Sequence, residues 1–249
     1  MKGLMIKRIY ALLAVMSVLA SAPAFAQMDP FDLHVASLRV LEDKAVQKEL
    51  GVTPAQRLKM DNYANQYNAD LKSYLKTQGK DPSQMASPDA QMLLMLTTLK
   101  KQVMGVLKPA QLKRLREVSL QAFGLNGLMD DAVGQKVGLS KDQLDRMRKT
   151  FEDGSTRANQ MIAGALTPVN NQFKNAKPKT KDEKQKTTSA YLAKRDSALN
   201  GVMAQVQKVR ADTQNAILAI VTPEQKATYV ALQGKPFHAK PAAKPARKK

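Results

Sequence analysis

Leu139-Ser140-Lys141-Asp142-Gln143 opens the stretch that decides the fold, and Leu144, Met147, Phe151, Ala158, Met161, Ile162, Leu166, Val169 and Phe173 carry it forward. Steps of mostly three and four put these apolar side chains on one face of a helix and do not fit the alternation of a strand. Ser140 stands where an N-cap hydroxyl accepts from the N3 amide. Gln143 stands at N3, where its side chain reaches back to the cap N–H. The residues predict a long amphipathic helix starting after Ser140, with Pro168 as a kink or restart within it.

The same helix start recurs along the chain. Val52-Thr53-Pro54-Ala55-Gln56 and Val221-Thr222-Pro223-Glu224-Gln225 repeat the capping box, with Thr53 or Thr222 as cap and Gln56 or Gln225 at N3. Pro54 and Pro223 fall at N1, where a missing N–H costs nothing. Leu107-Lys108-Pro109-Ala110-Gln111 is the fourth copy. Lys108 cannot cap, so Pro109 and Gln111 read as a proline kink in a continuous helix. The copies pair in the order A, B, A, B. Ala45–Thr53 aligns with Ala132–Ser140 at an offset of 87, and Val106–Leu120 aligns with Ile220–Gly234. Gly51 and Gly138 follow the short helices before the A copies, as C′ residues do. An internal duplication follows, with one unit over 27–127 and a second over 128–234.

Two further stripes have helical spacing: Met60, Tyr63, Tyr67, Leu71, Tyr74 and Leu75, and the run from Leu192 through Leu199, Val202, Met203, Val206 and Val209 to Ile217 and Ile220. Such helices persist only when the stripe is buried against other helices. The expected class is all-α, built from long amphipathic helices. Gly79-Lys80-Asp81-Pro82-Ser83 reads as a loop, and Lys174–Lys186 as a loop or frayed hinge. The basic tail 235–249 is rich in Pro, Ala and Lys and reads as disordered.

Residues 1–26 read as a cleavable signal peptide. Lys2, Lys7 and Arg8 precede the apolar run Ile9–Leu19, and Ala24-Phe25-Ala26 supplies a small-x-small cleavage site before Gln27. The apolar run is far short of the roughly 20 residues that span a bilayer. The expectation is therefore a soluble periplasmic protein. It has no cysteine, which excludes thiol chemistry, disulfides and a lipid-modified N-terminus. The net charge of the whole chain is +19; losing the three signal cations leaves +16, and setting aside the six cations of the tail leaves +10 on the body. A field of that sign favours acidic partners: unfolded or acidic protein clients, or an anionic envelope polymer or lipid. Nucleic acid is not expected in that compartment.

Exported, cysteine-free helical chains with repeated LTxxQ-type motifs resemble the Spy/CpxP-like periplasmic family, and V-T-P-A-Q, L-K-P-A-Q, L-S-K-D-Q and V-T-P-E-Q stand in those places here. The resemblance implies a cradle of long helices that acts as an ATP-independent chaperone or envelope-stress adaptor and often dimerises. Typical members carry two motifs. Four in this chain imply two such units fused.

A catalytic set is not visible. His34 and His238 lie at opposite ends of the chain, and G-x-S-x-G, H-E-x-x-H and P-loop patterns are absent. Met92-Leu93-Leu94-Met95 places two thioethers on one face; these are soft donors for copper(I), though methionine is ordinarily core filler. The reading is thus a binding protein without enzyme activity or cofactor. Thr53, Pro54, Gln56, Pro109, Gln111, Ser140, Gln143, Thr222, Pro223 and Gln225 are its structural motif positions. Lys240, Lys244, Arg247, Lys248 and Lys249 form an electrostatic tether. The alternative is a structural envelope protein that binds acidic polymer or membrane through its basic body and tail.

Overall fold

The computed structural model describes residues 29–79, 87–176 and 178–238. The expected signal peptide, most of the loop from Gly79 to Ser83 and the five tether cations lie outside the described residues. Within them the protein is all-α, with no strand. The helices are α1 (Pro30–Val35), α2 (Leu38–Leu41), α3 (Lys44–Glu49), α4 (Pro54–Thr77), α5 (Ala90–Met104), α6 (Pro109–Phe123), α7 (Leu125–Leu128), α8 (Asp131–Val137), α9 (Lys141–Phe173), α10 (Lys181–Leu218) and α11 (Pro223–Gln233). No described helix is long and apolar enough to cross a membrane.

The chain forms two compact units. One takes the described residues up to Ala122 together with Gln233 onward, and the other is Phe123–Leu232. Each is built the same way. A short helix ends at a glycine turn, a capped long helix runs out, and a second long helix returns to a final capped helix. In the first unit α3, α4, α5 and α6 fill those places; in the second, α8, α9, α10 and α11 do. Gly51 and Gly138 both have positive φ, at 61° and 80°. Each closes its helix with a pair of bonds: Val52 N–H to Gln47 O and Gly51 N–H to Lys48 O, and Leu139 N–H to Gly134 O and Gly138 N–H to Gln135 O. This is the Schellman arrangement. The sequence offset is mirrored in burial: Val46 and Val133, Leu50 and Val137, Met60 and Met147 are all buried.

The core of the first unit gathers Met104, Leu107, Leu112 and Leu115 around Val46 and Met60. A buried ion pair holds α1 to α6. Arg116 Nε donates to Asp32 Oδ1 at 3.0 Å, and its guanidinium lies 5.6 Å from the Phe31 ring centre. Residues after α11 return to this unit. Arg114 and Gln121 both donate to the Lys235 carbonyl at 2.8 Å, Phe237 N–H donates to Gln121 Oε1 at 2.7 Å, and the Phe237 ring packs on the core. Gly234 is required in this strap: its φ is +64°, and a Cβ there would collide with the Glu117 carboxylate.

In the second unit α9 and α10, of 33 and 38 residues, form a long antiparallel hairpin. At Gly154 there is no room for a larger residue: a Cβ there would run into the Thr213 side chain. Three expectations are corrected here. Lys174–Lys186 is not all loop: α10 begins at Lys181, and Thr180 with Glu183 makes a full capping box. That box gives a lysine-rich segment without an apolar stripe a helix start. Pro109 is not a kink: α5 ends at Met104 and α6 starts afresh at Pro109, because Gln111 Oε1 accepts from Lys108 N–H at 2.8 Å and supplies half of the box. Pro168 neither ends nor restarts α9, which runs through it.

Candidate functional site

Two features stand out: the way the four motifs are joined, and one uncovered helix face. The motifs are joined through their glutamines. Gln56 Oε1 accepts from Thr53 N–H at 3.0 Å, which completes the cap of α4. Its Nε2 is then left to point away from its own helix, and donates to Val106 O and to Gln111 Oε1, both at 2.8 Å. Gln111 answers: its Nε2 donates to Leu50 O at 3.0 Å and to Gln56 Oε1 at 3.3 Å. The second unit repeats this. Gln143 caps Ser140 and donates to Ile220 O at 2.9 Å and to Gln225 Oε1 at 2.9 Å. Gln225 caps Thr222 and donates to Gly138 O at 2.7 Å and to Gln143 Oε1 at 3.1 Å.

Each A motif is therefore clasped to the B motif of its own unit by a reciprocal amide pair. The clasp ties three segments at the base of each hairpin: the start of the outgoing helix, the start of the last helix and the glycine turn before them. Thr53, Pro54, Gln56, Pro109, Gln111, Ser140, Gln143, Thr222, Pro223 and Gln225 all sit in these two clasps, so the motif residues are structural. Each hairpin is held at its base and extends from there.

The uncovered face is on α5. In the sequence Ala90-Gln91-Met92-Leu93-Leu94-Met95-Leu96-Thr97-Thr98-Leu99 there is no charge. Met92 and Met95 are half-buried and Leu99 is buried. Leu96, Leu93 and Leu94 are 43%, 50% and 59% exposed. At about 100° per residue these three leucines and Thr97 span an arc of about 160°, opposite Met95 and Leu99. The other large exposed apolar residues, such as Leu58, Phe151 and Val230, occur singly, which is ordinary for a protein surface. Three in one arc is not ordinary. Lys101, one turn further along, is exposed.

No group of three or more His, Asp or Glu able to hold a metal ion occurs among the described residues. Arg114 lies between two carboxylates. Burial pulls its guanidinium down, but Glu49 at 2.7 Å and Glu117 at 3.0 Å outweigh that and raise it above its ordinary value. It stays charged and pins α6 to α3 and to the strap. The uncharged run Ala90–Leu99, with four leucines and two methionines, is visible in the sequence, but which of its sides stays exposed is not.

No family model, no curated protein and no solved structure matches the chain.

Proposed function

We propose that the chain is an exported, periplasmic protein of the Spy/CpxP-like kind that acts as an ATP-independent chaperone or envelope-stress adaptor. It holds unfolded, acidic protein segments without covalent chemistry and without a cofactor. The observation that carries the reading is the leucine face of α5. A segment that brings its own apolar side chains to Leu93, Leu94 and Leu96 removes about half of each leucine from water. At about 2 kcal/mol for burying a whole leucine side chain, three half-exposed leucines contribute about 3 kcal/mol. Much of this is offset by the order imposed on the client. Binding is then weak and reversible, as a holding activity requires. The net +10 charge of residues 27–234 draws acidic chains to the surface and speeds their encounter.

The test is light scattering from a reduced, aggregating model client at near-stoichiometric ratio without nucleotide. The protein should suppress the scattering, and the triple variant Leu93→Gln, Leu94→Gln, Leu96→Gln should lose most of the suppression while keeping its helical circular dichroism. Absence of suppression at every ratio, or an unaffected variant, removes the reading.

A further inference from the structure

The α9–α10 hairpin is unevenly charged. Near the glutamine clasp its cations are answered by acids: Lys141 by Asp145, Arg146 by Asp142, Lys149 by Asp153 and Lys208 by Asp212. Beyond Asp153 the sequence contains no acid until Asp182. At the far end Lys174, Lys179, Lys181, Lys184 and Lys186 are all exposed, and none forms an ion pair with a described residue. Of the two acids there, Glu183 is already engaged, accepting from the N–H groups of Lys179 and Thr180.

The two helices also differ in reach. α9 stops at Phe173, whose ring meets Tyr191 edge-on at 5.5 Å; Tyr191 donates to Asn170 at 3.1 Å, and Lys194 to Gln172 at 2.8 Å. The end of α9 is thus level with Tyr191 and Lys194. The ten residues Lys181–Ala190 continue beyond it for about 15 Å. Only Thr187 among them is half-buried; the rest are exposed. A helical segment that is polar all round buries no core, so packing does not explain its presence.

We propose that this overhanging, lysine-studded tip docks on an anionic phospholipid surface. Lys181, Lys184 and Lys186 lie within about 7.5 Å along the axis, less than the Debye length of about 8 Å at physiological ionic strength. A plane of phosphates therefore acts on all three at once. They point to different sides of the helix and leave no groove between them, so a line of charge could reach only some of them, whereas a surface met end-on reaches all. Lysine suits the task, because a compact, hydrated point charge pairs with any of many phosphates and needs no fixed partner. The overhang exposes no large apolar side chain, so attachment is peripheral and salt-reversible. This is a second site, in the unit that does not carry the leucine face, and it does not rest on the client-holding reading.

The experiment is sedimentation of the purified protein with phosphatidylglycerol/phosphatidylcholine vesicles at low salt. The variant K174Q/K179Q/K181Q/K184Q/K186Q should lose at least about 100-fold in partition. Arginine at the same five positions should retain it. A control with the same change in net charge, K44Q/K48Q/K59Q/K72Q/K76Q in the first unit, should keep most of it. The leucine-face variant should bind vesicles as the parent does, which separates failure here from failure of the proposed function. Equal loss in the control, no loss in the tip variant, or tip-dependent binding to inorganic polyphosphate with none to vesicles would each overturn the proposal.

Discussion

Gln56 and Gln143 each do two jobs with one amide. The oxygen caps the helix that carries it, and the nitrogen reaches the loop before the last helix and that helix's own glutamine. Removing the amide leaves the Val106 or Ile220 carbonyl without that donor, so Gln56→Ala and Gln143→Ala should each cost about 1–3 kcal/mol in denaturant titrations. Gln56→Ala and Gln111→Ala should be coupled by at least about 0.5 kcal/mol in a double-mutant cycle, because each removes the other's partner.

At the scale of elements, two of the three glycines inside the long second-unit helices make opposite predictions. Gly154 of α9 lies against the Thr213 side chain of α10, whereas Gly201 of α10 faces open space. Gly154→Ala should destabilise by about 1–3 kcal/mol through overpacking, with partial recovery in the Thr213→Ala background. Gly201→Ala should stabilise by up to about 1 kcal/mol. Thermal melts distinguish the two directions. Sequence could not have separated these glycines, since the difference is what stands across the interface. The same limit explains the other gaps. Capping boxes are local, so Thr53, Ser140 and Thr222 were legible. Thr180-Lys181-Asp182-Glu183 has the same pattern, but its lysine-rich surroundings suggested a loop. The cap of α6 was missed because Lys108 offers no side-chain acceptor, while Gln111 alone suffices to receive the free N–H. That the N3 glutamines pair A with B was not legible, because capping logic places their oxygens and says nothing of their nitrogens.

For the whole molecule, an all-α fold with long helices was readable from period and capping alone, because each stripe must find a partner. Which stripe lacks one was not readable, and that is where α5 acquires its interest. The strap was hidden too, as Lys235-Pro236-Phe237-His238 looks like the head of a low-complexity tail, yet the half-buried Phe237 packs against the core of the first unit. Ending the chain after Leu232 should therefore destabilise the first unit by about 1–3 kcal/mol, the scale of a lost half-buried aromatic and its neighbouring hydrogen bonds. Ending it after His238 should leave the melting of that unit unchanged. Hydrogen exchange resolved by segment reads both. The proposed holding of client chains on the α5 face is read out by methyl NMR of leucine-labelled protein titrated with an acidic unfolded polypeptide. The signals of Leu93, Leu94 and Leu96 should shift or broaden together while those of buried Leu112 and Leu115 stay put. Binding that leaves the three exposed leucines untouched overturns the proposal.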